Sequence, residues 1–82
     1  MKWINLSDMS LSQIAKVISN DWQKVNFAAL PYLNAMRSLE TVSDSYAWDS
    51  GRSIVAYFLA NASTYRGELA RDIKKELNKR IK

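Results

Sequence analysis

The sequence predicts an all-α fold: one small domain, residues 1–82, built as a bundle of four helices, or three if the last two are continuous. Three observations predict it. Apolar residues recur at spacings of three and four along most of the chain. Two glycines and one proline leave few breaks. No stretch alternates apolar and polar residues for long enough to make a useful strand. A chain of this size buries only about 60–65% of the surface that its unfolded form exposes, so its core is modest. Burial by a partner, or by a second copy, is therefore a natural expectation.

The first helix is predicted over about 11–24. Ser10 and Gln13 have capping-box spacing, in which each side chain satisfies an otherwise orphaned N–H. Met9 and Ile14 flank them as a hydrophobic staple. Leu11, Ile14, Ala15, Ile18, Trp22 and Val25 then mark one face. The second helix is predicted over about 28–42, with Pro31 in its first turn, where a missing N–H costs least. Tyr32, Leu33, Met36 and Leu39 form its inner stripe. A helix that begins earlier and kinks at Pro31 is the alternative.

Ser43, Asp44 and Ser45 signal a loop, and Tyr46 and Trp48 follow in an irregular stretch. The third helix is predicted over about 50–62, capped by Asp49 or Ser50. Ile54, Val55, Phe58, Leu59 and Ala62 make it apolar around most of its circumference, so it is expected to be central. The fourth covers about 64–80, capped by Ser63 or Thr64. Gly67 lies inside or beside that start, either as a break or to let another helix approach. Because the apolar phase runs on through Tyr65 and Leu69, one long bent helix from 50 to 80 competes with two.

Several function classes lack their residues. The chain has neither His nor Cys, so the usual proton carrier at neutral pH and the usual soft nucleophile are missing. No metal-ligand spacing and no phosphate-cradling glycine motif occurs. Asp44 and Asp49 are the best carboxylate pair, but both read more simply as turn and cap residues. The expectation is a protein that is not an enzyme and uses no cofactor. The longest apolar run, residues 54–60, is too short for a membrane span, which needs about 20 residues. The N-terminus carries no signal-peptide pattern. Together these predict a cytoplasmic protein with no membrane partner.

Charge and aromatic content point to surfaces instead. Residues 63–82 hold seven basic and three acidic residues, which is the whole +4 excess. On a helix, Arg71, Lys75 and Lys79 form one ridge, and Glu68, Asp72 and Glu76 form another. Glu68–Arg71, Asp72–Lys75 and Glu76–Lys79 then pair at i,i+3, the pattern of a solvated, salt-bridged face. Nucleic-acid binding through Arg66, Arg71, Lys74, Lys75 and Lys79 is the alternative use. A helix–turn–helix does not fit: its turn would interrupt the phase from Ile18 to Trp22, and Pro31 would enter the recognition helix. Of nine aromatics, Trp22, Tyr32 and Phe58 fit core stripes. Trp3, Tyr46, Trp48 and Tyr57 lie outside the cleanest stripes, which makes them the protein-interface candidates.

Two stretches, DWQKVNFAALPYLNAMRSL (21–39) and YFLANASTYRGELAR (57–71), resemble a set of short uncharacterised proteins encoded by bacteriophages and prophages. The likeness is one of sequence texture and brings no catalytic or binding residue with it. It implies a bacterial host cytoplasm and a small accessory protein acting on host or phage components. The combined expectation is a non-enzymatic helical protein-interaction module that binds a host or phage protein or forms a homodimer.

Overall fold

In the computed structural model, which describes residues 5–82, a single 3-10 turn at Leu6–Asp8 leads into helix α1, Leu11–Asp21. Helix α2 spans Leu30–Met36, strands β1 and β2 span Ser45–Tyr46 and Asp49–Ser50, α3 spans Gly51–Ala60 and α4 spans Glu68–Ile81. The described residues are thus mostly helical, with four α-helices, but the all-α expectation needs correcting. Tyr46 and Trp48 belong to a small antiparallel hairpin, paired Ser45 to Ser50 and Tyr46 to Asp49. The radius of gyration, 11.6 Å, matches the roughly 11.7 Å expected of a compact domain of this length.

Helix α1 begins where the capping box places it. The Ser10 hydroxyl accepts from the Gln13 N–H, and the Gln13 side chain accepts from the Ser10 N–H. The two remaining N-terminal donors go elsewhere: Leu11 N–H to the Glu40 carbonyl and Ser12 N–H to the Leu39 carbonyl. This pairing explains why α2 is shorter than expected. After Met36 the backbone tightens into i,i+3 bonds through Leu39, and the carbonyls of residues 39 and 40 turn to close the end of α1. Helix α1 is also shorter than expected. Trp22 leaves the helix in an extended conformation and swings its indole into the core, stacked 5.0 Å from Tyr65 and edge-on to Phe58.

Helices α3 and α4 are separate. The Asn26 amide donates to the Asn61 carbonyl and the Asn61 amide to the Tyr57 carbonyl, which fixes the end of α3. Neither Ser63 nor Thr64 caps α4; Gly67 does, at φ 121° and ψ 175°, a region essentially reserved for glycine. A Cβ there would meet nothing within 4 Å, so Gly67 serves this backbone conformation and not a close helix approach. Ser50, not Asp49, caps α3.

Helix α3 packs between α2 and α4, as its apolar circumference predicts, yet Arg52, Tyr57 and Ala60 face solvent. The core gathers Leu11, Ile14, Ile18, Leu33, Met36, Ile54, Phe58, Ile73 and Leu77 from all four helices, and Tyr65 from the connection between α3 and α4. Among the described residues no polar or charged residue is buried. Helices α3 and α4 run antiparallel, closed at one end by the Arg52 guanidinium, which donates to the Ile81 carbonyl at 2.6 Å and the Lys82 carbonyl at 3.3 Å. That contact also sets a cation against the negative end of α4.

Candidate functional site

The most exposed aromatic side chain among the described residues is Trp48, with 101% relative exposure. It sits in the two-residue loop of the hairpin, beside Ala47, whose φ is 56°. A left-handed first loop residue suits the right-handed twist of a tight hairpin, but it favours glycine, so alanine there holds strain. The hairpin is anchored from below by Asp44. One oxygen of its carboxylate accepts from the N–H groups of Glu40 and Thr41, each at 3.0 Å. Its backbone carbonyl accepts from the Gly51 N–H at 2.6 Å, and the Val42 carbonyl accepts from the Arg52 N–H at 3.0 Å. Gly51 is obligatory for the fit: a Cβ would stand 2.8 Å from the Thr41 carbonyl oxygen and 3.0 Å from the Val42 Cα. Asp44 is therefore a turn residue, while Asp49 lies exposed in β2.

Of the four predicted interface aromatics, the hairpin brings Tyr46 and Trp48 together. Tyr57 is separate from them, half-exposed on α3 with its ring 5.3 Å from that of Tyr32. Trp3 lies outside the described residues. Phe27, in the segment between α1 and α2, is 89% exposed. The sequence signal for this is Asn26, whose carboxamide oxygen accepts from the Ala28 N–H and turns the chain so that Phe27 projects outward.

The basic residues divide. Arg66, Arg71 and Lys74 line one depression of about 330 Å³ with Tyr65 and Gly67, while Lys75 and Lys79 lie exposed elsewhere on α4. The predicted i,i+3 ion pairs do not form. Among the described residues the single ion pair is Glu76–Arg80, at 2.7 Å. Arg80 wins Glu76 because its guanidinium is already held by the Leu6 carbonyl, also at 2.7 Å, in a half-buried position. The Lys74 ammonium lies 5.9 Å from the centre of the Tyr65 ring, within cation–π range. Burial and the adjacent Asp21 carboxylate, which accepts the Tyr65 hydroxyl at 2.9 Å, push the Tyr65 pKa well above its ordinary value. A second depression, of about 480 Å³, lies between the 3-10 turn and the segment after α2. Its Asp8, Ser10 and Arg80 side chains are already hydrogen-bonded within the fold.

Among the described residues no helix is long and apolar enough to cross a membrane, and no group of three or more metal-ligating side chains is found. No protein-family model matches the chain, and no curated protein or solved structure is significantly similar to it.

Proposed function

We propose that the protein is a small non-enzymatic interaction module that docks on another protein through its hairpin, with Trp48 as the anchor and Tyr46 beside it. The observation that carries this reading is the complete exposure of an indole on an anchored, strained turn. A tryptophan left in water gains nothing for the fold, and burying a side chain of that size is where interface energy concentrates. The fitting partner therefore offers an apolar pocket deep enough to take the indole. The resemblance to phage-encoded proteins suggests a host or phage protein in the bacterial cytoplasm, and a second copy of this chain is the first partner to test.

The test compares the wild type with Trp48→Ala in light scattering over a concentration series and in pull-downs from bacterial lysate. The variant should keep the wild-type unfolding midpoint and lose the larger species or the retained partner. Identical association by both proteins sinks the reading.

A further inference from the structure

We propose that the cleft beside the start of α4 is a second site, which binds the terminal phosphate of a small phosphorylated molecule through Arg66, Arg71 and Lys74. It is independent of the hairpin reading. The arginines of this domain fall into kinds. Arg52 and Arg80 spend their guanidinium groups on backbone carbonyls and, for Arg80, on Glu76. Arg66 and Arg71 make no side-chain hydrogen bond and no ion pair among the described residues, and yet they share one depression with Lys74. Three like charges held together repel one another. Nothing in the fold needs them there, and a multiply charged anion would relieve the repulsion while using the donor forks.

The surroundings fix this arrangement. Tyr65 is buried, stacked on Trp22 and tied to Asp21, and it backs Lys74 from beneath. Gly67 contributes open space, since no atom lies within 4 Å of where a Cβ would stand. The Asp21 carboxylate beside the floor is engaged by the Tyr65 hydroxyl. Neither Glu68 nor Asp72 lines the cleft, so its balance stays positive.

The geometry favours a compact phosphate over a nucleic-acid strand. The three cations line one depression, and Lys75 and Lys79, which a strand running along the helix would use, do not extend it. The Tyr65 ring is only 1% exposed and offers no face on which a base could stack.

Amide NMR titration with inorganic phosphate and pyrophosphate at about 0.1 M ionic strength, where charges beyond about 10 Å are screened, tests the site. Saturable shifts confined to residues around 65–74 are expected. The double substitution Arg71→Ala with Lys74→Ala should weaken binding about tenfold or more, the cost of losing charged hydrogen bonds. Lys75→Ala with Lys79→Ala removes the same charge from the same helix and should change affinity by less than about twofold, because exposed charges at a distance are screened. Arg71, Lys75 and Lys79 are exposed and Lys74 is half-buried, and circular dichroism would confirm that both variants fold. Absence of saturation, or equal loss in both double variants, overturns the proposal. A short oligonucleotide with and without a 5′-phosphate separates the sources: tighter binding of the phosphorylated form supports the site, and equal binding assigns it to the backbone and overturns it.

Discussion

Replacing Tyr65 by Phe should alter stability in a way that reverses with pH. The ring stays in place against Trp22, so what changes is the hydroxyl and its 2.9 Å bond to Asp21. At pH 8 the loss should cost about 1 kcal/mol, the value of an ordinary hydrogen bond and below that of a desolvated charged one, because Asp21 faces water. Above pH 10 a second effect opposes the first. The tyrosine of the unfolded chain titrates near 10.0, while burial and Asp21 raise the folded value. A raised folded pKa leaves stability intact below the unfolded pKa and removes it as pH climbs past that point.

At pH 11 the unfolded tyrosine has mostly given up its proton and the folded one has not. Keeping it costs the wild type about 1.4 kcal/mol, from RT ln 11, and phenylalanine escapes that cost. The advantage of the wild type, about 1 kcal/mol at pH 8, should therefore vanish or turn slightly negative at pH 11. All other groups are common to the two proteins, so they cancel in the difference. Urea unfolding followed by far-ultraviolet circular dichroism at the two pH values measures it. A gap of the same size and sign at both would refute the assigned environment of Tyr65.

Two further substitutions test the seat of the hairpin. Gly51→Ala should destabilise by about 1–3 kcal/mol despite alanine's better helix propensity, because its methyl meets backbone atoms that must move. Thermal unfolding should show a fall of at least about 4 °C, and an unchanged midpoint would mean that the loop yields freely. Ala47→Gly should stabilise by up to about 1 kcal/mol, as relief of the left-handed strain exceeds the entropy that glycine adds to the unfolded chain. A lower denaturation midpoint would show that Ala47 is not strained.

The parts of this fold that were legible in the sequence are those decided locally. Ser10 and Gln13 cap α1 because both partners lie within one turn. The helix count was legible only as four or three, since the apolar phase that runs on through Tyr65 and Leu69 left the break between α3 and α4 open. The ends of the helices were not. Trp22 keeps the helical apolar phase while its backbone has already left the helix, because a capping residue can aim the same side chain into the same core. Helix α2 stops early for the sake of α1, whose first N–H groups take the carbonyls of residues 39 and 40. The hairpin was invisible because Ala47–Trp48 is not a turn pair that φ preferences would select, and two-residue strands show no alternation. On α4 the charges pair by tertiary position: Glu76 goes to Arg80 because the Leu6 carbonyl holds Arg80 in place, which i,i+3 spacing alone cannot reveal.

That pairing also shapes what the surface offers. The Arg52 clasp on the Ile81 and Lys82 carbonyls places the start of α3, and with it the hairpin, beside the end of α4. The cleft lies at the other end, where α3 has finished and α4 begins. Ten residues of α3 separate the two, a helical span of about 15 Å. At the hairpin end Arg52 and Arg80 are bound to carbonyls and a carboxylate, whereas the cations at the cleft have no such partners among the described residues. The basic C-terminal stretch is therefore two things in one helix: a fastening at its end and an unsatisfied charge cluster at its start. Trp48→Ala and the cleft substitutions act on opposite ends of a packed pair of helices. Each should leave the other's binding unchanged, because separated sites without shared partners combine additively.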